Sequence, residues 1–275
     1  MQISNAIYTG ANQRKSLIDL ESPSSSTSTC VIFIHGYKGY KDWGCWSLVQ
    51  SEFIKAGIAF CKFNISHNGG TIEEPIDFPD LEAFGKNRYT YELEDVSAVI
   101  EYLDRQFKQP MQYVLLGHSR GGGIALLSGV NKSIKSVITW AGIDDIPSRF
   151  PSGDELQKWK EKGVYYVVNG RTKQEMPHYF SFYEDWEQNK ERLNIENHTT
   201  KLKEDNVPCL HIHGENDEAV SIQAAQNIAN WTGGELTILE ETGHTFDSKH
   251  PWTENQLPDK LARVVERSID FVKSH

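Results

Sequence analysis

Cysteine is scarce in this 275-residue chain: Cys30, Cys45, Cys61 and Cys209 stand far apart and form no C-x-x-C pair. A disulfide framework is thereby excluded, and the four are expected to be reduced thiols of a cytoplasmic protein. No stretch approaches the roughly 18–20 consecutive apolar residues of a bilayer span, so no membrane partner is expected. Met1 to Leu20 lacks the basic start and unbroken apolar run of a signal peptide. Basic charge is also short, with 28 Lys and Arg against 38 Asp and Glu for a net charge of −10. That balance argues against a sequence-independent grip on nucleic-acid phosphates. No internal repeat is present, which removes solenoids and propellers.

Apolar and aromatic mass is plentiful, with 12 Phe, 11 Tyr and 7 Trp, enough for a packed interior. Short runs rich in Val and Ile alternate with segments of helical period, the pattern of an α/β protein with a mostly parallel sheet. Strands are predicted over Lys15–Leu20, Cys30–His35, Ile58–Asn64, Gln112–Gly117, Lys135–Trp140, Val207–His213 and Glu235–Glu240. Leu93, Val96, Ile100 and Leu103 mark one amphipathic helix. Leu257, Leu261, Val264, Val265, Ile269 and Val272 mark another at the C-terminus. Ser22–Thr29 reads as a surface loop, and Ile143–Asp205, dense in charges and aromatics, as an insertion.

The most informative segment is Gly117-His118-Ser119-Arg120-Gly121, which follows an apolar strand and opens a helix. This G-x-S-x-G pattern fits a sharp strand-to-helix turn that lifts the Ser119 hydroxyl clear of the sheet. Gly117 and Gly121 supply the clearance such a turn needs. A phosphate loop is excluded because Gly121-Gly122-Gly123-Ile124 offers no lysine at the required place.

A serine hydroxyl is a weak nucleophile and needs a histidine to take its proton and a carboxylate to orient that histidine. The strand Val207–His213 runs into Gly214-Glu215-Asn216-Asp217-Glu218, and the last strand into Gly243-His244. Asp217 and His244 are therefore the candidate acid and base. Glu215, Glu218, Asp144 and Asp145 are competing carboxylates. The oxyanion donors are expected to be the backbone N–H groups of Arg120, next to the nucleophile, and Tyr37, in the glycine-rich loop after Cys30–His35. His211 and His213 alternate on one strand face; with no third ligand of suitable spacing they read as sheet histidines, and no metal site is assigned. His118 and His35 read as packing or loop-orienting groups, and His67-Asn68-Gly69-Gly70 as a loop able to touch substrate.

With these residues in hand, the chain resembles the α/β-hydrolase-fold serine hydrolases, and is similar to their dienelactone-hydrolase-like and cinnamoyl- or feruloyl-esterase-like branch. The motifs His35-Gly36-Tyr37, Gly117–Gly121, His213–Asp217 and Gly243-His244 occur in the family's order over nearly the whole chain. The resemblance implies one domain over residues 1–275, an eight-stranded, mainly parallel sheet, and a cap formed by 143–205. It also implies Ser119 as nucleophile, His244 as base, Asp217 as its orienter, Tyr37 and Arg120 as oxyanion donors, and no cofactor. Dienelactone hydrolases proper use a cysteine where this chain has Ser119. A hairpin is predicted from Val164–Val168 and His178–Tyr183 about Asn169-Gly170, its aromatics divided between a substrate pocket and packing.

The expected activity is hydrolysis of small-molecule esters. A peptidase or amide hydrolase on the same residues is the enzymatic alternative, and a catalytically silent binding protein is the alternative from another class.

Overall fold

The computed structural model describes all 275 residues. In chain order the elements begin with β1 (Gln2–Thr9), β2 (Lys15–Glu21), β3 (Thr29–Ile34), α1 (Trp46–Lys55) and β4 (Ala59–Phe63). They continue with α2 (Leu81–Gly85), α3 (Tyr89–Gln106), β5 (Gln112–His118), α4 (Arg120–Ser128) and β6 (Ile134–Trp140). Then follow α5 (Gly153–Lys162), β7 (Val164–Val168), β8 (Glu175–Tyr179), α6 (Ser181–Gln188) and α7 (Ile195–Glu204). The chain closes with β9 (Cys209–Gly214), α8 (Ile222–Thr232), β10 (Glu235–Leu239) and α9 (Asp259–Ser274).

Eight strands form one sheet in the order β1-β2-β4-β3-β5-β6-β9-β10. Pairing is antiparallel for β1–β2 and β2–β4 and parallel from β4 through β10. The fold is thus the α/β-hydrolase fold, a mostly parallel sheet with helices on both faces. Parallel strands all end on one edge, so the loops after β3, β5, β9 and β10 meet there. Strand alternation divides the core: Cys30, Ile32 and Ile34 of β3 pack into one cluster with residues of α3, α4, α7 and α8, while Val31 and Phe33 pack into another with α1 and α9. A strand covered on both faces needs no polar alternation, and Cys30–Ile34 are all buried.

The seven predicted strands lie within two residues of β2, β3, β4, β5, β6, β9 and β10. The eighth, β1, is an edge strand, mostly exposed and broken in register between Ile3 and Ala6, where Asn5 has φ 51°. Its residues carry little apolar alternation for that reason. Leu257 precedes the terminal helix, which starts after Pro258.

The hairpin also differs from expectation. Its second strand is β8, Glu175–Tyr179, and the turn spans Asn169 to Gln174, closed by the Asn169 N–H on the Gln174 carbonyl at 2.8 Å. The Asn169 side chain accepts from the Arg171 and Thr172 amides inside that turn, so Asn169-Gly170 is not a two-residue turn. Phe180 to Tyr183, expected in the strand, enter α6. There Phe180, Tyr183 and Trp186 follow one another with ring centroids 5.4 and 5.3 Å apart as a helical stripe. Within 143–205, α7 packs beside α4 and α8, with Leu202 fully buried in the main core. No helix is long and apolar enough to cross a membrane.

Candidate active site

β5 runs into α4 through Ser119, whose backbone stands at φ 57°, ψ −120°. L-residues rarely adopt positive φ, and such strain persists only where the surroundings over-determine it. Here the Ser119 N–H donates to the Trp140 carbonyl at 2.8 Å, and its own carbonyl accepts from Gly122 N–H at 2.9 Å. A Cβ on Gly117 would strike the Gly121 carbonyl, and one on Gly121 would strike the Ile34 carbonyl. The two glycines let the turn lie against β3. Since α4 begins at Arg120, its unpaired N-terminal N–H groups and positive dipole end lie beside Ser119.

The loops after β9 and β10 are clamped together: Glu215 N–H donates to Leu239 O and Asn216 N–H to Thr242 O, both at 2.9 Å. Asp217 sits between them with its side chain fully enclosed. Oδ1 accepts from the Ala219 and Val220 amides at 2.8 and 2.9 Å, and Oδ2 from His244 Nδ1 at 2.8 Å. Burial pushes this carboxyl's pKa up, but the His244 bond and the two amides outweigh it and hold it below the usual aspartate value. The bond to Asp217 places the His244 proton on Nδ1, leaving Nε2 as the ring's free acceptor.

Two further histidines brace this pair. His118 Nε2 donates to the His244 carbonyl at 3.0 Å, and burial lowers the His118 pKa to about 3, so its ring is neutral. His213 Nε2 donates to the Val220 carbonyl at 2.9 Å and lies 3.3 Å from Asp217 Oδ2, while its buried Nδ1 has no partner. His211 bonds Thr139 and Thr232 through its two ring nitrogens, away from the site.

The loop after β3 closes the other side. A Cβ on Gly36 would come within 3.0 Å of Ser119 Cβ, so this loop passes directly against the serine. His35 fixes its course: Nε2 accepts from Ile65 N–H at 3.0 Å and Nδ1 donates to the Gly36 carbonyl at 2.9 Å. Tyr37 follows, its hydroxyl 2.7 Å from His178 Nε2 of β8.

Two cavities flank Ser119. The larger, about 420 Å³, is lined by Ser119, His244, Tyr37 and Arg120 together with Tyr89, Ile143, Arg149, Tyr165, Val167, His178, Phe182, Ala219 and Val220. The smaller, about 200 Å³, shares Ser119, His244 and Tyr37 and adds Lys38, Trp43, Trp46, His118, Asn169 and Arg171 among others. Of the insertion aromatics, Tyr165 and Phe182 face the larger cavity. Trp159 is buried against Tyr165 and Phe180, and Tyr166, beside Tyr165 on β7, is 57% exposed.

The structure therefore brings Ser119, His244, Asp217, Tyr37 and Arg120 to one place. It leaves out Glu215, which bonds the Glu241 amide, and Asp144, which bonds Asn227. Asp145 caps the Ser148 amide, and Glu218 is exposed. Residues 67–70 line neither cavity; Asn68 instead bonds the Gly39 carbonyl and steadies the loop after β3. Sequence reasoning missed the Arg120 side chain and its partner Glu92, Nη1 to Oε1 at 3.3 Å. Glu92 sits in a helix face with no motif, and only its position among the buried residues of α3 sets it apart.

Among curated protein sequences none matches the chain. Several solved structures share its fold. It is similar to the esterase Est1E from Butyrivibrio proteoclasticus, solved with ferulic acid bound, at 18% identity and TM-score 0.73 over 98% of each chain. It is similar to an esterase domain of a Rhodothermus marinus protein, at 18% identity and TM-score 0.66 over 100% of this chain and 99% of that one. The Pyrococcus furiosus esterase Pf2001 aligns at 17% identity and TM-score 0.62 over 100% of this chain and 92% of that one. The family model of the alpha/beta hydrolases matches residues 31–262, from inside β3 to the first turn of α9 and across every loop that builds the site, so the chain belongs to the alpha/beta hydrolase family.

Proposed function

We propose that the chain is a serine hydrolase of the feruloyl-esterase-like branch that cleaves small carboxylic esters through an acyl-enzyme on Ser119. The observation that carries this reading is the 2.8 Å bond from His244 Nδ1 to the enclosed Asp217, with His244 and the strained Ser119 lining the same cavity. Ser119 Oγ attacks the ester carbonyl as His244 Nε2 takes its proton. Asp217 holds the imidazole in the required tautomer and stabilises the imidazolium that forms. The tetrahedral oxyanion is held by the N–H groups of Arg120, at the start of α4, and Tyr37, in the loop pressed on Ser119. The C–O bond breaks, the alcohol leaves with the proton from His244, and water then attacks the acyl-enzyme by the same path to release the acid. The α5–α6 segment is read as the cap over this site. The four cysteines are buried free thiols, which suits a reducing cytoplasm.

The test is labelling by a fluorophosphonate probe together with turnover of 4-nitrophenyl butanoate. Wild type should be labelled and active, and Ser119→Ala should lose the label and about 10⁶ in turnover. Labelling at another residue, or turnover surviving in Ser119→Ala, would refute the mechanism. Cleavage of aminoacyl anilides but not esters would replace the esterase reading with an amidase.

A further inference from the structure

The protein carries ten more acidic than basic residues, yet no aspartate or glutamate lines either cavity beside Ser119. Cations do. Arg171 is neutralised by Asp77 at 2.6 Å. Arg149 instead donates to the Ala219 carbonyl and Lys38 to the Val168 carbonyl, and neither has a carboxylate partner. Arg120 is the most deeply placed. Its guanidinium lies over the rings of Tyr37, Tyr89 and Phe182 at 4.5, 5.1 and 5.3 Å.

A guanidinium has five N–H donors in a fixed fork. Arg120 spends one of them on a protein acceptor, Glu92 Oε1 at 3.3 Å. That oxygen also accepts from Asn87 Nδ2 at 2.6 Å, so it is shared and long on the arginine side. The field is felt by the neighbours. Burial lowers the Lys38 pKa and the charge of Arg120 lowers it further, and burial with the same charge takes His178 to about 3. An acceptor-bearing anion seated against planar aromatic walls is the group such a fork recognises.

We propose that the esters this enzyme prefers carry a carboxylate that seats on the Arg120 guanidinium in the larger cavity, which makes the Arg120 side chain a specificity determinant. The proposal rests on Ser119 as the nucleophile, and its test separates the two. Mono(4-nitrophenyl) adipate is compared with 4-nitrophenyl hexanoate, placing the charge in the acyl part. 4-(Butanoyloxy)phenylacetate is compared with 4-methylphenyl butanoate, placing it in the alcohol part.

In at least one pair the anionic ester should have the higher kcat/KM by about tenfold or more, and Arg120→Met should cut that preference about tenfold or more. Glu92→Gln keeps the shape of the acceptor while removing its charge, and should raise the preference. A variant that merely disturbed packing would depress both members of a pair alike. No anionic preference in either pair, or a preference that survives Arg120→Met, overturns the proposal while Ser119-dependent cleavage of the neutral esters leaves the esterase reading standing.

If no ester is cleaved, the esterase reading falls. Calorimetry of adipate and 4-hydroxyphenylacetate on Ser119→Ala still decides the proposal: binding of either that is lost in Ser119→Ala/Arg120→Met supports it, and binding of neither, or binding unchanged by Arg120→Met, overturns it.

Discussion

Asp217→Asn is the most telling single change, because three donors from known groups converge on that carboxylate. Oδ1 accepts two amides, from Ala219 and Val220, and Oδ2 accepts His244 Nδ1, with His213 Nε2 3.3 Å away. An asparagine must put its NH₂ on one of these sides. If the NH₂ takes the Oδ2 position, it meets the His244 Nδ1–H as donor against donor, and the ring escapes only by moving its proton to Nε2. That nitrogen can then no longer accept from Ser119. If the NH₂ takes the other side, two backbone donors lose their acceptor, and the part-buried Val220 amide alone costs about 1–3 kcal/mol. The first arrangement is therefore the cheaper one and is the one that stops the chemistry.

A wrong-tautomer histidine lowers turnover by about 10⁴ in the serine-protease triad from which that general figure comes, and a loss of about 10³–10⁴ in kcat is expected here, with KM little changed. Stability should fall by only about 1–3 kcal/mol. The assay is steady-state turnover of 4-nitrophenyl butanoate with the active sites counted by fluorophosphonate titration, beside urea unfolding. Glu215→Gln and Glu218→Gln serve as controls and should stay within about twofold. A folded Asp217→Asn enzyme within tenfold of wild type would refute the assignment of Asp217 as the orienting carboxylate.

Other outcomes follow from the same packing. Ser119→Gly should raise stability by about 1 kcal/mol in urea unfolding, since glycine adopts φ 57° without strain, while turnover disappears; equal or lower stability would mean the turn stores no strain. Gly121→Ala should cost more than about 4 kcal/mol or prevent folding, because its Cβ would strike the Ile34 and His35 carbonyls; a cooperatively folded variant with normal activity would contradict this. Asp19 and Asp42 both pair with the buried Lys41 and Lys62, Asp19 at 2.8 Å from each, so Asp19→Asn should cost up to about 3 kcal/mol by leaving two buried ammonium groups to the one carboxylate of Asp42, read from urea midpoints. His35 and His67 are held near 4, and His118, His178 and His211 near 3, mainly by burial. The unfolded imidazoles protonate near 6.5, so each neutral ring forfeits about 1.4 kcal/mol of stability per pH unit as pH falls below that value towards its folded pKa. Asp95, raised to about 7 by burial, and Glu92, also raised by burial, work the other way over part of that range. Urea midpoints should drop steeply from pH 7 to pH 5, and a flat profile would contradict the burial of these rings.

The sheet was readable where burial made the sequence simple. β3 and β5 are enclosed by helices on both faces and carry the apolar runs Cys30–Ile34 and Tyr113–Leu116. β1 pairs on one side only and carries Asn5 at a bulge, so exposure removed the signal that burial had written elsewhere. The segment from Phe180 to Tyr183 misled for a different reason: aromatics are frequent in strands, but here Phe180, Tyr183 and Trp186 recur every third residue and form a helical stripe. The placements of Ser119, Asp217 and His244 were legible because each follows a parallel strand and so comes to one edge of the sheet, where topology alone fixes the neighbourhood. His118, read as a packing or loop-orienting group, does steady the His244 carbonyl, but His213 read as a sheet histidine and gave no sign that it would lie 3.3 Å from Asp217.

The Arg120 side chain shows where such reading stops. Its position after Ser119 is set by the turn, so the sequence reveals its amide and says nothing of where its guanidinium goes. That is decided by α3, which places Glu92 and Tyr89 beside it, and by α6, which lays Phe182 across it. Strand ends and glycine clearances can fix where a carbonyl would be attacked. The charge of the group that brings the carbonyl there is fixed by side chains from helices with no motif, and for this protein those side chains surround a cation with too few acceptors.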